Sequence, residues 1–169
     1  MLETPEEMGR LQALLDASMA GAGPHLRSII TEERRLRAAD LVARLQGMCL
    51  LVLATVTADG RPLVGPVDGY FLHGTFLFSS STDSVRFRHL AKRPAVSASH
   101  LPGEELAVTV HGRAELFGRD DPRFAELRQA MLDEYLPKQG PAFEEWLDES
   151  SALGARIAPD KMFTFHLAG

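Results

Sequence analysis

The feature that most constrains this chain is a succession of parts. An unbroken apolar run, Cys49–Val56, ends in Thr57-Ala58-Asp59-Gly60, and a second run, Leu63–Leu72, follows at once. Asp-Gly between two such runs is a strong hairpin signal, so they are predicted to pair antiparallel. No helix-length segment separates them, which argues against a parallel, doubly wound sheet. The continuity of Cys49–Val56 predicts a strand buried on both faces. Pro66 has no N–H to give a ladder, so it predicts an edge or a bulge. Gly65 and Gly69 allow another group close to the backbone.

His73-Gly74 turns the chain into a third strand around Phe76 and Phe78, and a short basic helix follows. Ala95–Ser99 and Leu106–Phe117 read as further strands, separated by Pro102-Gly103. Arg156–Ala158 and Met162–Leu167 read as a closing pair around a Pro159-Asp160 turn. Short antiparallel strands with one helix inserted after the third predict a mainly β (α+β) protein. Its expected core is an antiparallel split or closed β-barrel of six or more strands with flanking helices.

The expected helices lie around this core. Thr4-Pro5-Glu6-Glu7 starts one, with a capping hydroxyl, an early proline and acids in the first turn. Gly21–Pro24 ends it, and a second runs about Ala38–Gln46. Asp121-Pro122 opens another, through about Tyr135, and Pro141–Trp146 is a shorter one. Residues 1–47 are therefore expected to form a helical segment packed on the barrel, and residues 48–169 the barrel itself, within a single domain.

Charge and cysteine usage narrow the setting. A formal net charge of −5 argues against nucleic acid as the main partner. The basic run Arg34, Arg35 and Arg37 has no aromatic interleaving and reads as a solvent- or partner-facing surface. The lone Cys49 cannot make an internal disulfide and reads as a small buried hydrophobe, which suits a reducing compartment. Glu3, Glu6 and Glu7 stand where a signal peptide would carry positive charge. The apolar run at Met48–Val56 is too short to span a bilayer. The expectation is a cytoplasmic protein with no membrane or nucleic-acid partner.

One stretch carries candidate chemistry. In FLFSSSTDSVRFRHLAKRP (Phe76–Pro94) a strand meets a hydroxyl-rich turn just where a basic helix begins. Unpaired N–H groups at a helix N-terminus favour an anion, and Arg86 and Arg88 add charge in a forked geometry suited to phosphate. Helical spacing puts Ser84, Arg88 and Lys92 on one row, with Phe87, Leu90 and Ala91 on a row that can dock on a core. The same pattern also suits a capped helix with a solvated basic face. Nucleotide-binding glycine fingerprints, nucleophile elbows and zinc-protease motifs are absent, and the histidines show no metal-ligand spacing. His111, on the long strand, reads either as a packed or solvated histidine or as a group facing a substrate.

Taken in order, LATVTADGRPLVGPV (Leu53–Val67), FLFSSSTDSVRFRHLAKRPAV (Phe76–Val96) and VTVHGRAEL (Val108–Leu116) resemble the flavin-binding split barrels of the pyridoxamine-phosphate-oxidase-like superfamily. The resemblance implies a barrel that dimerises, with FMN in the groove between subunits. It places the flavin ring along Gly65, Pro66, Val67 and Asp68. It places the ribityl chain and phosphate on Ser79, Ser80 and Ser84, with Arg86 and Arg88 as the basic partners. Metal is not implied.

The chain also departs from the oxidase pattern. Gly65 stands where a phosphate-holding arginine would, and Ala107 where a ring-contacting glutamine would. The C-terminal Arg-Leu-x-Pro is replaced by His166-Leu167-Ala168-Gly169. Vitamin B6 oxidation is therefore not expected, and a deazaflavin coenzyme stands as an alternative to FMN. The expected function is an oxidoreductase moving hydride or electrons to or from a small organic substrate through such a cofactor, which carries the chemistry itself. The alternative is a non-catalytic module storing or sensing a flavin, a haem or another anionic ligand. No general acid or base stands out; Asp68, Tyr70 or His111 could face a substrate.

Overall fold

The computed structural model describes residues 2–167; Ala168 and Gly169 of the C-terminal stretch named above lie outside the described residues. Six antiparallel strands close into a barrel in the order β1-β2-β3-β6-β5-β4. They are β1 (Met48–Val56), β2 (Pro62–Leu72), β3 (Thr75–Ser81), β4 (Ala95–His100), β5 (Leu106–Phe117) and β6 (Ala152–His166). Flanking them are α1 (Pro5–Ala20), α2 (Pro24–Ile29), α3 (Ala38–Arg44), α4 (Val85–Lys92), α5 (Pro122–Gln139) and α6 (Ala142–Glu149).

The hairpins set the register. His73 and Gly74 both take positive φ (55° and 77°), the signature of a two-residue type I′ turn, and join Leu72 to its partner Thr75. At the Asp-Gly loop only Gly60 does so, and Thr57 N–H closes the longer loop on the Arg61 carbonyl at 2.9 Å. Side chains then alternate across the wall. Leu51, Phe71, Phe76, Phe78, Val110 and Ile157 fill the barrel. Tyr70, Leu72, Leu77 and Phe117 face outward and are covered by Phe124 and Leu127 of α5. The N-terminal helices pack on the same body, with Ser18 Oγ accepting from Met162 N–H and Thr164 Oγ1 from Leu36 N–H, each at 2.9 Å. Thr4 caps α1 in a reciprocal box with Glu7, at 3.2 and 2.8 Å. Buried Cys49 has its thiol pushed up to about 11 by desolvation.

Several elements differ from the sequence expectation. β1 is not buried on both faces: Leu50 and Val52 point outward and are 50% and 44% exposed. Arg156–Ala158 and Met162–Leu167 are not two strands around a turn. They belong to one strand, β6, in which Asp160 bulges out between Pro159, opposite Gly112, and Lys161, opposite His111. Gly112 makes the bulge possible, because a Cβ there would lie 2.1 Å from the Ala158 carbonyl oxygen. Pro24 starts α2 rather than only ending α1, since a first-turn proline lacks an N–H that would be unpaired anyway. α5 runs through Pro137 and stops at Gly140 (φ 73°).

Candidate functional site

β2 pairs with β1 from Pro62 to Tyr70, but with β3 only from Gly69 to Leu72. Beyond that point β3 stays with β6, Ser79 opposite Gly154 and Ser81 opposite Ala152. The barrel wall is therefore split, and Pro66 sits on the free edge, where its missing N–H costs no ladder bond.

Two groups face the split. On one side α4 begins, capped by Ser84, whose Oγ accepts from Phe87 N–H at 3.2 Å. Arg86, half-buried, reaches back from its first turn and donates to the Pro66 carbonyl at 2.7 Å. It passes close over Gly65, where a Cβ would lie 3.3 Å from the guanidinium. Burial lowers the Arg86 pKa, and among the described residues no carboxylate pairs with it. A half-desolvated guanidinium bonded to only one neutral acceptor is a strong anion site.

On the other side lies an open groove of about 550 Å³, between Pro66–Asp68, Ser79–Ser81 and the α5–α6 pair. Ser79 donates to the Leu153 carbonyl at 3.0 Å, while among the described residues Ser80 makes no side-chain bond. Asp68 accepts from Tyr135 Oη at 2.6 Å, and burial followed by that bond pushes the Tyr135 phenol up to about 12. Tyr70, on the same face of β2 as Asp68, lines the groove; its hydroxyl is buried and has no hydrogen-bond partner among the described residues. Burial first, then Tyr135 and Asp68, push its pKa up. An orphaned hydroxyl of this kind costs about 1–3 kcal/mol.

The structure thus gathers Gly65, Pro66, Val67, Asp68, Ser79, Ser80 and Arg86 around the split. Ser84 adjoins it with its hydroxyl engaged in the helix cap, and Arg88 lies on the exposed face of α4, off the groove lining. His111 lies on the outer face of β5, bonded to Ser97 Oγ at 2.8 Å and edge-on to Phe163. Sequence reasoning missed the groove's far wall, Met131 and Trp146, and Tyr135, which bonds Asp68. The available signal was that Trp146 falls off the Phe143/Leu147 row of an amphipathic helix.

A closed antiparallel barrel split between its second and third strands defines a split-barrel protein. The chain belongs to the pyridoxamine 5'-phosphate oxidase family, whose model matches residues 38–160. Its fold is shared with a conserved hypothetical protein of Mycobacterium tuberculosis (16% identity, 80% of this chain and 88% of that one, TM-score 0.64). It is shared as well with the haem storage protein of Vibrio cholerae (19%, 76% and 90%, TM-score 0.59). An F420 reductase is similar too (22%, 71% and 93%, TM-score 0.54). No curated protein matches the sequence. Among the described residues no helix is long and apolar enough to cross a membrane.

Proposed function

We propose that this chain is an oxidoreductase that moves hydride or electrons to or from a small organic substrate through a flavin-type cofactor, FMN or a deazaflavin. The observation that carries the reading is Arg86: a half-buried cation without a carboxylate, at the mouth of a split whose free edge is Gly65–Asp68. The residues fit a cofactor phosphate. Arg86 would hold it with help from the free hydroxyl of Ser80 and the lone pairs of Ser79, and Arg88 would add longer-range charge from the helix surface. Gly65, Pro66, Val67 and Asp68 would line the ring. When bound, the cofactor supplies the hydride chemistry; the chain binds it, orients it and keeps water from its edge.

The protein would act as a homodimer with the groove at the subunit boundary. Leu50, Val52 and Val64 form an uncovered apolar face directly beside the split. Such a face on a strand that otherwise alternates cleanly is better accounted for by a second chain than by water.

The alternative is a non-catalytic binding module. Asp68, the carboxylate lining the groove, is already bonded to Tyr135, and Gly65 and Ala107 lack the oxidase side chains. The shared fold of a haem storage protein also favours it. Titration of the purified protein with FMN, a deazaflavin coenzyme and haemin, followed by absorbance, tests both readings. Bound FMN or deazaflavin that bleaches on reduction and recovers with an organic acceptor supports the enzyme. Haemin binding without flavin or deazaflavin binding supports the module, and binding of none of the three ends both.

A further inference from the structure

The groove beside the split has an end of a different character. It continues into a hollow of about 390 Å³ that shares Asp68, Met131 and Trp146 with it. Two helical rows build the hollow: Met131, Tyr135 and Gln139 recur every four residues along α5, and Phe143 and Trp146 stand three apart on α6. The rings of Tyr135 and Trp146 flank that of Phe143, at centroid distances of 5.0 and 5.6 Å. Trp146 is 58% exposed, so most of a large indole is left uncovered at the opening.

Charge decides what such walls favour. Among the described residues Asp68 is the one charged side chain lining the hollow, and Ser79, Ser80 and Arg86, which suit a phosphate, do not line it. Asp68 is half-buried; among the described residues it accepts from the Tyr135 phenol alone and pairs with no cation. A neutral phenol leaves most of the carboxylate charge uncompensated. Lys138 lies 5.7 Å from the Tyr135 centroid, but its ammonium is paired with Glu134 and it does not line the hollow.

A metal ion does not fit, because among the described residues no three potential ligands come together. An ammonium ion carrying methyl groups does fit. Its charge is spread over a weakly hydrated surface that suits aromatic faces, and the carboxylate supplies the counter-charge. Met131 adds a soft wall that adapts to such a shape.

We propose that the hollow between Asp68 of β2 and the α5–α6 pair is a binding site for a small organic cation, an alkylated ammonium held by Asp68, Tyr135 and Trp146. Asp68 belongs both to this hollow and to the edge that would line the cofactor ring, so the cation is the substrate or its charged end. That role rests on the cofactor reading above; the binding itself does not.

Trp146 is the only tryptophan in the chain, so its fluorescence reports on this hollow. The probes are choline; 3,3-dimethylbutanol, the same shape with carbon in place of the charged nitrogen; and ethanolamine, charged but without methyl groups. With the full chain, no added cofactor and constant ionic strength, choline should change the Trp146 emission saturably. By calorimetry it should bind about tenfold more tightly than either analogue, or better. Asp68→Asn keeps an acceptor for Tyr135 and removes the charge. It should weaken choline about tenfold and leave the alcohol within about twofold. An Asp68 that only supports the fold would weaken both probes alike. The proposal is overturned if choline fails to bind saturably, if the three probes bind alike, or if Asp68→Asn binds choline as the parent does. The probe comparison on the parent decides the matter even if that variant does not fold. Because FMN and deazaflavin binding are measured separately, either result can fail while the other stands.

Discussion

Arg86 donates to the Pro66 carbonyl at 2.7 Å, joining the first turn of α4 to the free edge of β2 across the split in the barrel. The contact is a weak use of a strong group, because a neutral carbonyl leaves most of the guanidinium charge uncompensated. A phosphate in the split would take that charge over. Arg86→Ala should therefore weaken FMN or deazaflavin binding by about 1.5–3 kcal/mol, on the order of ten- to a hundredfold. Arg88→Ala, on the exposed helix face, should cost less than about fivefold. Arg86→Lys should recover only part of the loss, since Lys cannot fork onto two oxygens. Absorbance titration of the three variants checks this ordering; equal losses at Arg86 and Arg88 would move the phosphate out of the split.

The uncovered face of β1 makes a separate prediction. Val52 sits opposite Pro66 and points away from the barrel interior, so a charge there leaves the fold intact in an isolated chain. Buried unpaired in a subunit boundary, the same charge would be costly. Val52→Glu should keep the parent circular dichroism spectrum and shift the sedimenting species from dimer to monomer. A parent protein that sediments as a monomer at micromolar concentration would remove the dimer from the proposal.

The architecture was legible because most of it is written in consecutive hairpins, whose turn residues and apolar runs lie side by side in sequence. Gly65–Asp68, Ser79, Ser80 and Arg86 could be brought together on paper for the same reason. What was illegible depends on distant partners. The continuous run Cys49–Val56 does not say whether its second face is covered by this chain's helices or left open at Leu50 and Val52. Pro159-Asp160 has turn composition, but Gly112, far away on β5, lets the strand absorb it as a bulge. Tyr135 bonds Asp68, and Trp146 lines the same groove, only because α5 packs on the outer face of the barrel and carries α6 with it, which no local pattern records.

His73 ties the barrel to two helices. Its Nδ1 lies 3.1 Å from Glu7 of α1 and its Nε2 3.1 Å from Glu126 of α5. Burial opposes its charge, but the two carboxylates win and raise its pKa. A raised folded-state value means the stabilisation is complete below the unfolded pKa of about 6.5 and is lost as pH rises through the folded value. At the acid end the Glu7 pKa is lowered, first by the Thr4 backbone N–H and against burial, so its share fades as pH falls through that lowered value. His73→Asn keeps a residue that tolerates the positive φ of 55°. Urea titrations should show the parent gaining on this variant by less than about 1 kcal/mol between pH 8 and 6, because the groups are partly solvated. A pH-independent difference would show that the pair carries no linkage.

The bulge on β6 makes the sharpest stability prediction, because the clash is with backbone. A Cβ at Gly112 would stand 2.1 Å from the Ala158 carbonyl oxygen and 3.0 Å from Pro159 Cα. Neither atom can move without dragging β6 away from β5 at the register shift. Gly112→Ala should cost about 3 kcal/mol or more, a fall of roughly 6–12 °C in Tm for a chain of this size. Gly9 is the control: it lies inside α1, nothing stands within 4 Å of a Cβ there, and its φ is not positive. Gly9→Ala should therefore stabilise by about 0.5–1 kcal/mol by lowering the entropy of the unfolded chain. Thermal unfolding of the two variants tests whether the strand is held by close backbone approach at the bulge. If Gly112→Ala melts with the parent, the strands at this point are looser than the close approach at Gly112 requires.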